Sequence, residues 1–253
     1  MNVQVLVASM HQNDHSLLKK MNIQSNVIVG NQCDFDSIER FKFENYDVMY
    51  LNFNEKGVGL NRNNALMRAK DDICLFADDD IIYVDNYPEI IIKAFNENPS
   101  ADIIVFNLIE KNSLRKQIKR KCKVNRLNYL RYGTARIAVR LKAIKENGIF
   151  FNQCFGGGCE HSHGEDNLFL TACLDKGLKI VALPIDLAEL TDVRKSTWNN
   201  GYDDKYIIDQ GYLYRAISKK WWKLLCLQDA IRRHKSYGLS VFNSYKKMTR
   251  LKK

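Results

Sequence analysis

Proline is scarce in this chain, with three among 253 residues, and neither a low-complexity linker nor an internal repeat interrupts the sequence. The chain is therefore expected to form one large α/β domain, or such a domain with an appendage. No stretch reaches the roughly 20 apolar residues that a transmembrane helix needs. Residues 1–7 lack the basic start and long apolar core of a signal peptide, so we predict a strand there instead.

The cysteines do not form a recognisable framework. There are seven, an odd number, and their spacings are irregular. This pattern argues against structural disulfides and favours a reducing compartment. We therefore expect a cytoplasmic protein.

Acidic residues are missing from one segment and nearly missing from another. Residues 111–145 contain thirteen Lys or Arg and no Asp or Glu, and residues 215–253 contain twelve with the single acid Asp229. The whole chain carries a formal net charge of +10. Such concentrated positive charge favours an anionic partner, namely nucleic acid, a membrane surface or a phosphate-bearing substrate. The charge pattern alone does not choose among the three.

Short apolar runs alternate with segments of helical periodicity through most of the chain. Apolar runs of this length, bounded by turn residues, are typical of buried strands. Predicted strands cover residues 3–8, 27–29, 48–51, 73–77, 102–106 and 180–183, and predicted helices cover residues 60–69, 89–95 and 166–176. The alternation predicts an α/β fold with a Rossmann-like, mostly parallel sheet flanked by helices.

Three adjacent carboxylates, Asp78, Asp79 and Asp80, follow the apolar run of residues 73–77. If the chain stays extended there, Asp78 and Asp80 share one face of the strand. Adjacent carboxylates repel one another unless a cation neutralises them, and open α/β sheets bind ligands at this edge. One or two carboxylates completed by phosphate oxygens are a usual site for Mg²⁺ or Mn²⁺. A solvated acidic turn is the alternative interpretation.

Three motifs in order give the chain a family resemblance. They are Asn61-Arg62-Asn63, which opens a predicted helix, Asp78-Asp79-Asp80, and Glu165-Asp166, which opens a later helix. In this order and spacing the chain resembles the family 2 glycosyltransferases of the GT-A fold, over residues 1–185. The resemblance implies a nucleotide-sugar donor and a GT-A sheet.

The resemblance also implies roles for the acidic residues. Asp80, together with Asp78, would bind a Mn²⁺ or Mg²⁺ ion that bridges the diphosphate of the donor. Asp78 would also lie near the ribose and base, with Asp79 beside it in the donor site. Asp166 would be the general base that takes the proton of the acceptor hydroxyl, with Glu165 as its partner.

Further donor-site residues follow from the same resemblance. Arg62 and Asn63 would help to form the donor pocket, and Ser9 would line it at the end of the first strand. Family members usually have an acidic turn after the second strand, where this chain has Asn31 and Gln32. Either these two amides contact the base, or Asp34 does so from a shifted position. This departure leaves the nucleotide open, with a UDP-sugar as the first choice.

The residues agree with a single displacement. Loss of a nucleoside diphosphate develops negative charge that a divalent cation stabilises, and a carboxylate on the opposite side can act as general base. One base without an enzymic nucleophile suggests inversion at the anomeric carbon. The acceptor implied by the family is a saccharide or a lipid-linked oligosaccharide.

A nucleic-acid-binding protein is the alternative function, because of the basic segments. Residues 111–145 contain only two aromatic residues for base stacking, Tyr129 and Tyr132. We therefore expect no nucleic-acid partner.

A cluster of Cys154, Cys159, His161 and His163 surrounds a run of three glycines. The spacings fit no closed structural zinc site well. An active-site loop, in which one histidine contacts the acceptor or a phosphate, is the second interpretation, and exposed histidines are the third. For residues 195–198 we expect Thr197 to cap a helix and Trp198 to lie in the core, while the family resemblance offers a loop that closes over the donor as the alternative.

The last part of the chain is predicted to be a basic helical extension, residues 206–253, after a catalytic domain of residues 1–205. One helical stripe is predicted to contain Leu213, Ile217, Trp221, Leu224 and Ile231. With lysines and arginines on the other side, this stripe is typical of an interfacial helix on an anionic membrane. It is equally typical of a helix that packs on the catalytic domain. The first alternative implies a peripheral protein on the cytoplasmic face of the membrane.

Overall fold

The computed structural model describes residues 1–110, 117–191 and 201–251. The described strands are β1 (Val3–Met10), β2 (Asn26–Gln32), β3 (Ser37–Phe43), β4 (Tyr46–Phe53), β5 (Ile73–Asp78), β6 (Ile81–Tyr83), β7 (Ile103–Ile109), β8 (Cys122–Val124), β9 (Ile137–Arg140) and β10 (Ile180–Leu190). The described helices are α1 (Ser16–Lys20), α2 (Val58–Arg68), α3 (Tyr87–Glu97), α4 (Leu141–Glu146), α5 (Glu165–Asp175), α6 (Asp204–Ile217), α7 (Trp222–Arg233) and α8 (Val241–Thr249).

The ten described strands form one mixed sheet in the order β3-β4-β2-β1-β5-β9-β7-β10-β6, with β8 paired to β10. Strands β4, β2, β1 and β5 are parallel neighbours, and β7 is parallel to β10. Strand β9 runs antiparallel between β5 and β7. The predicted α/β fold with a mostly parallel sheet is confirmed, while the antiparallel strands β3, β6, β8 and β9 were not predicted.

Apolar side chains fill both faces of this sheet. Along β5, Leu75 and Ala77 belong to one core cluster, whereas Cys74 and Phe76 belong to the other. Because helices cover the two faces, the strand is apolar at successive positions and does not alternate with polar residues. This double burial is why β5 was recognisable from its sequence.

A hairpin of β3 and β4 forms one edge of the sheet. Its strands pair antiparallel from Ser37 with Asn52 to Phe43 with Tyr46. The chain reverses at Glu44, whose φ of 54° lies in the left-handed region. Phe41 packs on the core while the neighbouring charged side chains face solvent, so β3 is amphipathic and contains no continuous apolar run.

The three C-terminal helices have a small core of their own, formed by the buried residues Ile207, Tyr214, Cys226, Ala230, Tyr237 and Met248. Helix α6 packs tightly on α8, since a Cβ at Gly211 would lie 2.0 Å from the carbonyl oxygen of Met248. The predicted single stripe is wrong, because α6 ends at Ile217 and α7 begins at Trp222. Leu213 is buried, whereas Trp221, Leu224 and Ile231 are exposed.

The division into residues 1–205 and 206–253 stays a prediction, and α6 itself begins at Asp204. The candidate loop at residues 195–198 lies outside the described residues. In the part of the chain that the structure describes, none of the helices combines the length and the apolar content needed to cross a bilayer.

Candidate active site

The parallel strands β1, β2, β4 and β5 end at one edge of the sheet. Ala8 pairs with Asp78, and Met10 pairs with Gln32. Helix α2 lies against this edge because residue 30 is glycine: a Cβ there would lie 2.5 Å from Asn61 Oδ1. The close approach brings the Asn61-Arg62-Asn63 motif next to the end of β5.

Arg62 joins the three predicted motifs in one cluster. Its Nη2 donates a hydrogen bond of 2.6 Å to Asp78 Oδ1, and its Nη1 donates to Glu165 Oε1 over 3.0 Å and to Asp166 Oδ1 over 3.3 Å. Only 5% of the Arg62 side chain is exposed. A planar guanidinium with five donors can bind several carboxylates at fixed angles, which an ammonium cannot do.

The charges of this cluster shift two pKa values. Burial disfavours the Arg62 guanidinium, but the charges of Asp78, Asp166 and Glu165 outweigh burial and hold its pKa above the usual value. Burial raises the pKa of Glu165 from 4.5 to about 7, and the charge of Asp166 adds to this effect while Arg62 opposes it. Glu165 therefore holds its proton to a higher pH than an ordinary glutamate.

Asp166 is the more accessible member of the acidic pair. Its side chain is 28% exposed, against 13% for Glu165. The Thr134 hydroxyl donates a hydrogen bond to Asp166 Oδ1, and a Cβ at Gly133 would lie 3.3 Å from Asp166 Oδ2. The segment directly before β9 thus positions the Asp166 carboxylate. Thr134 was not among the site residues predicted from the sequence.

The Asp78-Asp79-Asp80 motif does not stay extended. Strand β5 ends at Asp78, and a turn at Asp79 and Asp80 precedes β6. The condition under which Asp78 and Asp80 would share a strand face, an extended chain through Asp80, is therefore not met. Asp79 Oδ2 accepts a hydrogen bond of 3.2 Å from Gln12 Nε2, and the Asp80 carbonyl accepts bonds from the backbone and hydroxyl of Thr191. The turn leaves all three residues partly exposed at the sheet edge.

Asn31 and Ser9 lie beneath this edge. Asn31 is fully buried, and its amide binds both backbone groups of Gln12 and the side chain of Asn52. The buried Ser9 hydroxyl donates to the Gly30 carbonyl over 3.0 Å. In this structure Asn31 therefore positions Gln12, which in turn contacts Asp79. A donor-binding role for Ser9 and Asn31 stays a prediction.

Gln32 and Asn63 fix the helix that carries Arg62. Gln32 Oε1 accepts a hydrogen bond of 2.8 Å from the Gly57 amide, directly before α2. The Asn63 amide makes two bonds, of 2.8 and 2.9 Å, to the backbone of Phe151. Both side chains are buried, so they hold α2 in place. Their contact with a donor stays a prediction.

The histidines of the glycine-rich loop are held by helix α6. His161 Nδ1 lies 3.0 Å from Asp209 Oδ1, and His163 Nε2 lies 3.0 Å from Gln210 Oε1. Burial lowers the pKa of His163, and Gln210 opposes that effect. The expectation of exposed histidines is wrong, since both rings also stack on tyrosines of α6.

This loop ends at Gly164, directly before Glu165. Gly164 has a φ of +109°, and a Cβ there would lie 2.7 Å from Leu213 Cδ1. Helix α6 therefore packs directly behind the acidic pair. Asp209 and Gln210 were not predicted, although a buried acid and amide within an apolar helix are the signal that could have identified them.

The residues at the sheet edge suit a divalent cation that is shared with phosphate. Among the described residues, no group of three or more His, Cys, Asp or Glu side chains converges as a metal cage. The Asp78-Asp79-Asp80 turn offers hard carboxylate oxygens that are partly exposed, and Arg62 occupies one oxygen of Asp78. One or two such carboxylates, completed by phosphate oxygens, match the preference of Mg²⁺.

Comparison with solved structures shows the fold. Staphylococcus aureus TarS residues 1–349, crystallised with UDP-GlcNAc, superimposes with a TM-score of 0.66 at 17% identity and covers 99% of this chain and 77% of that one. The complex of the same protein with UDP gives a TM-score of 0.64 at 16% identity, covering 98% and 90%. A comparison with curated protein sequences finds no match.

The sequence profile described as Glycosyl transferase family 2 matches residues 28–154, which is half of the chain. This range includes the Asn61-Arg62-Asn63 and Asp78-Asp79-Asp80 motifs. The Glu165-Asp166 motif lies outside the matched range, but both of its carboxylates accept hydrogen bonds from Arg62 of the first motif. The chain belongs to glycosyltransferase family 2 and has the GT-A fold of that family's enzymes.

Proposed function

We propose that this glycosyltransferase is an inverting, metal-dependent enzyme that moves a sugar from a UDP-sugar to a hydroxyl of a saccharide or lipid-linked oligosaccharide. The observation that carries the proposal is the triple contact of Arg62 with Asp78, Glu165 and Asp166. One buried cation connects the carboxylate at the end of β5 with the acidic pair of α5. In the proposed reaction this contact would hold the donor side and the acceptor side at a fixed separation.

The donor would bind at the sheet edge. Solved structures of a protein with a similar fold contain UDP and UDP-GlcNAc, which supports a uridine nucleotide here. Asp80 and Asp78 would hold Mn²⁺ or Mg²⁺, with Asp79 beside them. When bound, this ion stabilises the negative charge of the departing diphosphate as a Lewis acid.

Asp166 would take the proton of the acceptor hydroxyl. The hydroxyl oxygen forms a bond to the anomeric carbon while the bond from that carbon to the diphosphate breaks, and the proton passes to Asp166. Asp166 is more exposed than Glu165, and Thr134 and Arg62 both orient its carboxylate. Glu165, more deeply buried and bound to Arg62, would orient the cluster. One attack from the side opposite the leaving group inverts the configuration.

Activity and stereochemistry test this proposal directly. Purified protein is incubated with a panel of nucleotide sugars and Mn²⁺, and release of the nucleoside diphosphate is measured with and without saccharide acceptors. NMR of the product formed from an α-linked donor should show a β-linkage. Arg62→Lys should abolish most turnover, whereas the matched change Arg68→Lys, at the end of the same helix, should not. A retained α-configuration, or equal turnover of both variants, would refute the proposal.

The exposed face of the C-terminal helices supports a peripheral place on an anionic membrane. Trp221, directly before α7, and Leu224 and Ile231 of α7 are 55%, 57% and 57% exposed, although α7 also has a packed side. Lysine ammonium groups lie close to this face, with Lys220 Nζ 5.1 Å from the Trp221 ring. Apolar and basic residues on one surface favour anionic lipid, and each basic residue adds about 1 kcal/mol at the surface.

Liposome co-sedimentation tests the membrane part of the proposal. The double variant Trp221→Ser with Ile231→Ser should lose binding to vesicles that contain phosphatidylglycerol. Met67→Ser with Leu127→Ser, which removes two exposed apolar side chains elsewhere, is the control. Equal binding of the two double variants would contradict a role for this face.

A further inference from the structure

A surface cavity of about 350 Å³ is lined by residues from the part of the chain that connects β7 to β9. The residues that line it are Gln117, Ile118, Lys119, Arg120, Cys122, Asn128, Arg131 and Tyr132. Its volume is within the usual range for small-molecule sites, about 300–1,000 Å³. The residues assigned to donor binding and to proton transfer are not among those that line it.

The cavity is lined by positive charge without compensating acids. Lys119, Arg120 and Arg131 line it, and no carboxylate is among the described lining residues. Within the described ranges these three side chains make no ion pair to Asp or Glu. Residues 111–145 themselves contain no Asp or Glu that could neutralise these three side chains. Like charges around one cavity repel one another when no counter-ion lies among them, and a bound anion relieves that repulsion.

The wall that holds these cations is fixed by hydrogen bonds. The buried amide of Asn107 binds both backbone groups of Ile118, over 2.8 and 3.1 Å. On the other side, Arg131 Nη2 donates to the Tyr132 hydroxyl over 3.0 Å, and its guanidinium lies 5.1 Å from the centre of that ring. These bonds fix the backbone that precedes Lys119 and Arg120 and hold the Arg131 guanidinium. This part of the wall is therefore positioned before any ligand arrives, which lowers the entropy cost of binding.

The cavity is adjacent to Asp166. Tyr132 lines the cavity, and Thr134, two residues later, donates to the Asp166 carboxylate. Consecutive Cα atoms are about 3.8 Å apart, so Tyr132 and Thr134 are separated by at most about 8 Å. Asn167, beside Asp166, also binds the Leu130 carbonyl over 3.3 Å. A group held in the cavity can therefore belong to the same molecule as the hydroxyl at Asp166.

We propose that this cavity binds a phosphate group of the acceptor. The inference rests on the proposed function, because it takes Asp166 as the acceptor-side base, and it adds that the acceptor is phosphorylated close to the reacting hydroxyl. Arginine binds phosphate oxygens through paired N–H donors, and lysine adds a point charge. A neutral saccharide would leave the three cations without an anion.

Two sources could supply the same phosphate chemistry. One is a phosphodiester in the backbone of a polymer, and the other is the diphosphate of a lipid-linked acceptor. Dimethyl phosphate reproduces the first group and inorganic pyrophosphate reproduces the second. Their relative affinities, measured with UDP saturating the donor site and Mg²⁺ in excess, distinguish the two sources.

Calorimetric titration of these two anions tests the proposal. The double variant Lys119→Gln with Arg120→Gln, and the single variant Arg131→Gln, should each weaken anion binding by about tenfold or more for each lost contact. The control variant Lys93→Gln with Lys142→Gln removes two exposed positive charges from other helices. It should bind the anions as the wild type does, and all variants should keep the wild-type affinity for UDP.

The outcomes distinguish a failure of the proposed anion site from a failure of the proposed function. Loss of anion binding in the cavity variants alone supports the proposal. Failure of the wild type to bind either anion, or equal loss in cavity and control variants, overturns it. Failure of the wild type to bind UDP would count against the proposed function, while the cavity variants would still decide the anion site.

Discussion

Arg62 and Glu165 lie 103 residues apart in the sequence and share a hydrogen bond of 3.0 Å. The same guanidinium binds Asp78, which ends β5, over 2.6 Å. Two motifs from distant parts of the chain are thus held by one buried side chain. Its loss should disturb the stability of the protein as well as its chemistry.

Removing this cation leaves Glu165, the most buried of the three carboxylates, without the guanidinium that it binds. For Arg62→Met we expect a loss of about 3–5 kcal/mol in the free energy of unfolding, because breaking a buried ion pair from one side has that cost. Urea unfolding at pH 7 measures the change. Arg62→Lys should lose less stability, since it keeps the charge but not the fork of donors. Equal stability of the wild type and Arg62→Met would contradict the central role of this contact.

Glu165 should make the stability depend on pH. Its pKa is raised from 4.5 to about 7 by burial and by Asp166, so the folded protein keeps this proton where the unfolded chain has lost it. The contribution of Glu165 to stability is therefore present below pH 4.5 and is lost as the pH rises to about 7. Between pH 4.5 and about 7, the free energy of unfolding should fall by an amount on the order of 1–3 kcal/mol for this reason.

The Glu165→Gln variant measures this effect. Its free energy of unfolding, followed by urea denaturation from pH 5 to pH 8, should fall less with rising pH than that of the wild type. Glu89→Gln removes an exposed carboxylate from the first turn of α3 and is the control. A pH profile of Glu165→Gln that is parallel to the wild type would show that Glu165 is not the group responsible.

Thr134 should act through Asp166. Thr134→Val keeps the shape but removes the hydroxyl that binds Asp166, and a hydrogen bond to a charged group contributes about 1.5–3 kcal/mol. We expect kcat to fall about tenfold or more while the KM for the donor stays unchanged. Thr134→Ser, which keeps a hydroxyl, should restore turnover. Thr171→Val, a buried hydroxyl of α5, is the control, and an equal fall in both valine variants would argue for a general packing effect.

The sequence located the central strands and the acidic motifs because their signals are local. The apolar run before Asp78 is a buried strand in any arrangement of the sheet, and the acids of Glu165-Asp166 suit the start of a helix. Family resemblance added the order of the motifs. The contacts of Arg62 depend on how α2 and α5 meet the sheet, and no local pattern contains that information.

Other features could not be predicted for equally physical reasons. Strand β3 contains three charged residues, Glu39, Arg40 and Lys42, and no continuous apolar run. The C-terminal stripe was misjudged because the helix ends at Ile217, so that Leu213 and Trp221 belong to separate helices. Helix α6 packs on the glycine-rich loop at Gly164, as the packing alternative expects. Helix α7 has an exposed apolar face, and its binding to a membrane stays a prediction.

Leu213 should therefore matter for catalysis although it lies in the C-terminal helices. Leu213→Ala removes the side chain that packs on Gly164 and should lower the free energy of unfolding by about 2–5 kcal/mol, as cavity formation usually does. Turnover should fall as well, because Gly164 directly precedes Glu165. Leu224→Ala, on the exposed face of α7, should change neither. Identical behaviour of these two variants would show that α6 is not part of the catalytic unit.

The most direct test of the proposed site measures donor binding and turnover separately in variants of two aspartates. For Asp80→Asn and Asp166→Asn, UDP-sugar affinity in the presence of Mn²⁺ is measured by calorimetry, and turnover is measured by release of UDP. Asp80→Asn should lose metal-dependent donor binding. Asp166→Asn should bind the donor as the wild type does and lose about 10²–10⁴-fold in turnover, the usual contribution of a general base. Full donor binding by Asp80→Asn, or wild-type turnover by Asp166→Asn, would contradict the assignment of the two sides of the site.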